Sequence, residues 1–289
     1  MERYLALQKI LETGGFTKAA KAMGYSQSSI SQMIASLENE LGIKLLTRSK
    51  GGAHLTIEGE RIYPDIEKLL ASSQAVKRKA ADIRGLNDDV IRIGTISSIT
   101  CHWMPQLIQG FQKQYPNVQF VFQQGDYSLI PEWIRSGKVD CGFISPVACG
   151  ELQYDLVKSG EMLAVLPEKH PLASADRVSL EDLAQEPFLE LEEGSYSEIM
   201  EAFKKAGLTP KVKYRLHDDY AIMTMVEAGL GVSVLAKLIL DRTSFRNVCL
   251  PLNPPVSRTL AIAYVDKEEL PLADKLFIKY LLDHKEDLP

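Results

Sequence analysis

The feature that most constrains this chain is a change of hydrophobic period near residue 88. Before it, apolar residues recur at helical spacing; after it, short β-rich runs alternate with helical stretches. Two periods call for two kinds of layer packing, which excludes both an all-helical fold and a single β-sandwich. With 289 residues, 45 % of them apolar, the chain can fill two or three cores. Its longest apolar stretches stop well short of the roughly 20 residues a membrane-spanning helix needs. Residues 1–15 carry Glu2, Arg3, Lys9 and Glu12, where a signal peptide would be apolar. The expected location is the cytoplasm, with no membrane partner.

The net charge of −5 is unevenly divided. Residues 1–85 hold 13 Lys and Arg against 9 Asp and Glu, whereas residues 86–289 hold 20 against 29. A mildly basic module ahead of an acidic body suits a first part that meets phosphate and a second with another task. The four cysteines, Cys101, Cys141, Cys149 and Cys249, form no CxxC pair and have no His at metal-ligand spacing. They are expected as reduced thiols, with neither metal nor cofactor.

Within the basic module, Tyr4, Leu7, Ile10 and Leu11 predict a helix that Gly14 and Gly15 end. Thr17 is a candidate N-cap for a second helix, whose Ala19, Ala20 and Ala22 allow close helix contact, and Gly24 supplies the next turn. Ser26 can cap a third helix running to about Asn39, with Ile30, Met33, Ile34 and Leu37 as its buried stripe. At about 100° per residue the opposite face is centred on Ser28, Gln32, Ala35 and Asn39, flanked by Ser31 and Ser36. Helix, turn and helix at this spacing predict a recognition helix, whose Ser and Gln can bond base edges or phosphates. A hairpin over 49–55, bearing Lys50 and His54, reads as a wing. The candidate DNA contacts are Gln27, Ser28, Ser29, Ser31 and Gln32, with Arg48 and Lys50 as either phosphate contacts or solvated charges.

An ordered set of residues carries a resemblance. Phe16, Ala19-Ala20, Ser26-Gln27-Ser28, Ser31, Leu37-Glu38, Leu41-Gly42, Leu45-Leu46, Arg48, Leu55-Thr56 and Gly59 resemble the winged helix of LysR-type transcriptional regulators over about 60 residues. Met33 and Gly51 depart from it, standing where the family more often has a polar residue and a wing Arg. The likeness implies sequence-specific binding of a double-stranded DNA operator and contact with RNA polymerase.

After the wing, Ile62, Ile66, Leu69, Ser73, Val76, Ala80 and Ile83 recur at alternating intervals of 4 and 3. That heptad stripe, without its serine, is the candidate dimer seam, although such a stripe also suits packing on its own chain. Pro64 inside it should start, kink or interrupt the helix. The likeness implies a homodimer or homotetramer.

The acidic body predicts two α/β lobes. Strands are expected near 90–96, 118–123, 139–144, 161–166, 187–191, 212–216, 231–235 and 259–265, with helices near 103–114, 128–136, 179–184, 196–206, 219–228 and 268–284. Ile93-Gly94, Pro105, Phe111, Tyr115-Pro116, Gly137, Asp140, the 168–171 stretch, Gly229 and Gly231 resemble the effector domain of the same regulators, related in fold to periplasmic binding proteins. The expected domains are a winged helix-turn-helix over 1–58, a linker helix over 59–87 and an effector domain over 88–289. Lobe I would cover about 88–160 and 266–289, and lobe II about 161–265.

Ligands in open α/β sheets sit at the carboxyl ends of strands. This places Ser97, Ser98 and Thr100, then Gly125, Asp126 and Tyr127, then Ser145, in the first lobe's half of a cleft. From the second lobe come Glu192, Glu193, Gly194 and Ser195, and His217, Asp218 and Asp219. The hydroxyls beside a helix start suit an anion such as a carboxylate. The acids either cap helices or select a ligand carrying amine or hydroxyl groups. A ligand-responsive DNA-binding regulator accounts for both halves. The alternative, a cytoplasmic solute-binding protein, leaves the winged helix unused. An enzyme would need a GxSxG, HExxH, Walker loop or similar constellation, and the five histidines are scattered.

Overall fold

The computed structural model describes residues 1–49, 52–83, 90–241 and 243–289. It separates into two compact units, Met1–Arg84 and Gly85–Pro289.

The first unit contains α1 (Glu2–Thr13), α2 (Phe16–Met23), α3 (Gln27–Leu41), β1 (Leu46–Ser49), β2 (Gly52–Leu55) and α4 (Ile57–Ile83). The Ser26 hydroxyl accepts the Ser29 N–H at 3.1 Å and starts α3, as its sequence suggests. Thr17, by contrast, lies inside α2; the carbonyl of Gly15 accepts the Ala19 N–H and begins that helix without a side-chain cap. Gly24 ends α2 at φ 72°, a left-handed conformation costly for residues with a Cβ. Ala19 and Ala20 are buried with Leu7, Ile10, Ile30, Ile34, Leu37 and Leu45 in one core. β1 and β2 form the expected antiparallel hairpin, Leu46 opposite Leu55 and Ser49 opposite Gly52. Lys50 and the side chain of Arg48 lie outside the described residues.

α4 contains Pro64 in its interior, so of the expected outcomes Pro64 neither starts nor interrupts the helix. Pro64 and Glu60 are both exposed, so the carbonyl that Pro64 leaves unbonded can meet water. The heptad stripe also divides. Ile66 is buried in the first unit's own core, with Ile62 packed against it and Leu70 joining them, so the first positions are not a free seam. Leu69 and Val76 remain 42 % and 70 % exposed, and Ala80 is exposed too. The side chain of Ile83 lies outside the described residues.

The second unit begins with β3 (Val90–Thr95), α5 (Ser97–His102), α6 (Met104–Phe111), β4 (Gln119–Gln124), α7 (Leu129–Arg135) and β5 (Cys141–Ile144). There follow β6 (Gln153–Pro167), β7 (Val178–Ser179), α8 (Leu180–Gln185), β8 (Pro187–Leu191), α9 (Glu198–Lys205) and β9 (Lys211–Leu216). The chain ends with α10 (Asp219–Glu227), β10 (Ser233–Ala236), α11 (Lys237–Leu240), β11 (Asn247–Asn253), β12 (Ser257–Tyr264) and α12 (Leu272–Asp283). One lobe is built on the order β4-β3-β5-β12-β6, with β3 parallel to both β4 and β5. In the other, β10 and β11 pair with the second half of β6, and β8 pairs with β9 and bridges toward Val232. Each lobe has its own apolar core, around Phe111, Phe143 and Phe277 in one and Phe188 and Phe203 in the other.

Two strands carry the chain between lobes. β6 pairs with β12 over residues 153–161 and with β10 over 162–165. The return lies between β11 and β12, because β12 is inserted antiparallel between β5 and β6 of the first lobe. The expected boundary at 265 is therefore about ten residues late. An apolar strand pattern reports that a segment is a strand but not which sheet it joins. The crossing strands are antiparallel, so parallel pairing alone does not describe the sheets.

Candidate functional site

On α3, Gln27, Ser28, Gln32, Ala35 and Asn39 are exposed, and Ser29 and Ser31 are half-buried. Ile30, Ile34 and Leu37 hold the opposite side in the core, so burial on one face presents the polar face on the other. Ser26 Oγ lies 2.8 Å from both Ser28 Oγ and Ser29 Oγ, which pre-orders the start of the helix. At the other end Arg3 donates to Ser36 Oγ at 3.0 Å and pairs with Glu40 at 2.6 Å. The flanking Ser36 is thus engaged in holding α1 to α3.

Glu38 joins this helix to the wing. Its side chain is 8 % exposed, accepts the N–H groups of Leu45 and Leu46 at 2.9 and 3.3 Å, and meets Lys44 Nζ at 2.6 Å. Burial alone would raise its pKa, but the Lys44 bond and the two backbone donors hold it below the ordinary carboxylate value.

In the second unit the strand ends meet across a cleft lined by Ile96, Ser97, Ser98, Gly125, Asp126 and Tyr127 from one lobe. Leu191, Glu192, Glu193, His217 and Asp219 line it from the other, and Arg258 from the crossing strand β12. The guanidinium of Arg258 bridges the two sides. Nε donates to Tyr127 Oη at 2.8 Å, Nη1 to Ser98 Oγ at 3.4 Å, and Nη2 to Glu193 Oε1 at 2.8 Å. The lobes touch directly as well: Tyr127 N–H donates to the Glu193 carbonyl at 2.9 Å, and Ser195 Oγ donates to the Tyr127 carbonyl at 3.1 Å. Gly194 sits between them at φ 88°, where a Cβ would come within 2.7 Å of Asp126 Oδ1 and Ser128 N.

The electrostatics follow from burial. Desolvation raises Glu193 to about 7 against the opposing pull of Arg258, with Glu198 adding to the rise. Desolvation likewise raises Asp219 to about 6, opposed by Arg258 and assisted by Glu193. Burial lifts Glu198 and Tyr127 too. For Arg258 burial disfavours the charge, but Tyr127, Glu193 and Glu198 outweigh it and the guanidinium stays protonated.

Of the residues singled out from sequence, Ser97, Ser98, Gly125, Asp126, Tyr127, Glu192, Glu193, His217 and Asp219 come together in the cleft. Others have different places. Thr100 turns back on its own turn, bonding Thr95 Oγ1 and the Ile96 carbonyl at 3.1 Å, because Ser97–His102 is already helical. Asp218 caps α10 through the Ala221 N–H, and Ser145 is buried beyond the cleft lining. Ser195 serves as a lobe-to-lobe contact. Asp126 lines the cleft but is also committed, accepting from Ser128 N and Leu129 N. Sequence reasoning missed Arg258 and Glu198. An arginine opening the apolar run from Leu260 to Tyr264 was the available signal for the first.

Residues 1–60 match the family described as bacterial regulatory helix-turn-helix protein, lysR family, and residues 84–286 match the LysR substrate binding domain. The chain belongs to the LysR family. This LysR-family chain is a DNA-binding transcriptional regulator with a small-molecule effector domain, and the solute-binding alternative is not favoured. It is 32 % identical to the HTH-type transcriptional regulator YvbU of Bacillus subtilis (strain 168) over 94 % of each chain. Its fold resembles HinK, a LysR family transcriptional regulator from Pseudomonas aeruginosa, with TM-score 0.62 and 25 % identity over 99 % of both chains. The effector binding domain of QuiR, solved in complex with shikimate, matches 68 % of this chain and 97 % of its own at 25 % identity and TM-score 0.62. No helix among the described residues of this LysR-family chain is long and apolar enough to cross a membrane.

Proposed function

We propose that α3 reads an operator through Ser28 and Gln32, with Gln27, Ser29 and Ser31 contacting phosphate or base edges and Arg48 and Lys50 contacting phosphate from the wing. The observation that carries this reading is the exposed polar face of α3 opposite Ile30, Ile34 and Leu37, with Ala35 leaving room for a groove wall. Two chains pair through the exposed part of the α4 stripe, Leu69, Val76 and Ala80, and tetramers are built from such pairs. A small effector enters the cleft around Ser98, Tyr127, Glu193 and Arg258 and shifts the balance between two lobe arrangements, which changes the grip on DNA. The shikimate-bound relative supports a small polar molecule as the class of occupant. The regulator works in the cytoplasm, contacts RNA polymerase, and uses neither cofactor nor catalytic step.

The test is fluorescence anisotropy on a duplex selected by the protein and on a scrambled one. Ser28→Ala and Gln32→Ala should each weaken the selected duplex by about 1 to 3 kcal/mol and leave the scrambled one nearly unchanged. Normal operator binding by both variants would place the reading face elsewhere.

A further inference from the structure

The effector reading leaves the chemistry of the ligand open, and the charges in the cleft narrow it. Arg258 is surrounded by three carboxylates, Glu193, Glu198 and Asp219, all shielded from solvent: the Glu193 side chain is 11 % exposed, Glu198 6 % and Asp219 9 %. Among the described residues only Glu193 makes an ion pair with the guanidinium. Glu198 has both carboxylate oxygens buried with no well-formed hydrogen bond, only the Ser145 hydroxyl and its own backbone N–H close by, and it is coupled electrostatically to Arg258 and Glu193. A buried carboxylate so weakly partnered is costly to keep ionised, and the cost is relieved when a strong donor or cation arrives. A carboxylate ligand would instead bring a fourth acid to one guanidinium whose three nitrogens are already engaged.

The free space is about 40 Å³, far below the roughly 300 Å³ at which ligand pockets begin. Arg258, which ties the two lobes together through Tyr127, Ser98 and Glu193, is the side chain whose departure would give room. Arg258 also lines a second cavity of about 420 Å³ beside the crossing strands, whose wall carries Asp241, Lys158 and Glu161, the last paired with Lys237 at 3.4 Å. A guanidinium leaving Glu193 therefore has space beside it and the Asp241 carboxylate in the same wall. The groups it leaves, Glu193 Oε1, Tyr127 Oη and Ser98 Oγ, are all oxygens that now accept from it.

We propose that the effector of this chain carries an ammonium or amidinium group that takes the place of the Arg258 guanidinium on Glu193, Tyr127 and Ser98, with Glu198 and Asp219 supplying the balancing negative charge. Arg258 is then a resident stand-in for the ligand, holding the lobes together in its absence. The proposal rests on the cleft being the effector site.

The experiment uses the full-length chain at constant ionic strength and pH 7.5. Thermal shift and calorimetry compare the cations agmatine and cadaverine with the dicarboxylate adipate and neutral 1,5-pentanediol. The expected result is binding by at least one cation and none by adipate. Glu198→Gln should weaken that cation about tenfold, which separates the cleft from general attraction to an acidic surface. Arg258→Met vacates the bridging position, so methylguanidinium should stabilise this variant and not the wild type. If Arg258→Met does not fold, the wild-type panel and Glu198→Gln still decide the matter. The proposal is overturned if no cation binds, if cation binding ignores Glu198→Gln, or if adipate binds in the cleft. Adipate that bound and altered the DNA footprint would defeat the cationic ligand while leaving the effector-responsive regulator standing.

Discussion

Removing the Glu38 carboxylate should loosen the joint between α3 and the wing by an amount the structure lets us estimate. In Glu38→Ala the N–H groups of Leu45 and Leu46 lose their side-chain acceptor. Leu45 is fully buried and Leu46 half-buried, so the first pays most of a desolvation penalty of about 1 to 3 kcal/mol and the second a part of one. The sum is about 2 to 4 kcal/mol. The Lys44 contact contributes little, since the Lys44 side chain is 75 % exposed and such pairs are worth about 0 to 1 kcal/mol. Glu38→Gln keeps an acceptor for the backbone and loses mainly that pair, so it should cost about 1 kcal/mol or less. Hydrogen exchange by mass spectrometry on the full-length chain reads the effect locally. Protection of α3 and β1 should fall roughly 30- to 1,000-fold in Glu38→Ala, at 1.4 kcal/mol per factor of ten, and less than about tenfold in Glu38→Gln. The folded pKa of Glu38 is depressed, so its contribution is present above the unfolded carboxylate value and is lost as pH falls through the folded one. Glu38→Gln should therefore converge on wild type in acid, whereas Glu38→Ala should remain destabilised, because a protonated carboxyl still offers the Leu45 and Leu46 N–H groups an acceptor that alanine lacks. Glu38→Ala within twofold of wild type at pH 7, or Glu38→Gln equally damaging, would refute the reasoning.

Leu69→Asp and Val76→Asp should leave the chain folded, because both side chains are exposed within it, and should dissociate the oligomer in sedimentation; unchanged oligomers in both variants would exclude pairing through α4. Gly194→Ala should part the lobes, since the residue would adopt a left-handed conformation costing about 1 to 2 kcal/mol and press on Asp126 and Ser128. The amide of Tyr127, bonded to the Glu193 carbonyl, should then exchange faster, and an unchanged rate would show that the contact does not hold the cleft.

The parts legible from sequence are those where local pattern and tertiary packing agree. Ile30, Ile34 and Leu37 fix one face of α3 by their spacing alone, and the exposed face follows from it. The segments 97–98, 125–127 and 193 were reachable because a strand end is marked by where an apolar run stops. Thr100 was misplaced because capping hydroxyls and ligand hydroxyls occupy the same positions in a sequence, and only the backbone tells that helix α5 has already begun at Ser97. Arg258 was illegible for a different reason. Its partners Ser98, Tyr127 and Glu193 lie 160, 131 and 65 residues away, and they meet only because β12 returns to the first lobe between β5 and β6. On α4 the heptad pattern was real, but Ile66 is claimed by its own chain's core, a choice periodicity cannot resolve.

The most direct test of the account is selection of bound sites from a random duplex pool by the full-length chain, followed by sequencing. Two paired α3 helices predict enrichment of a two-fold symmetric site, its half-sites separated by one helical turn or a multiple of it, with the symmetric pattern lost when the selection is repeated with Gln32→Ala. Recovery of unenriched sequences by the wild type, or of the same symmetric site by Gln32→Ala and Ser28→Ala alike, would contradict the claim that this chain reads DNA through that face.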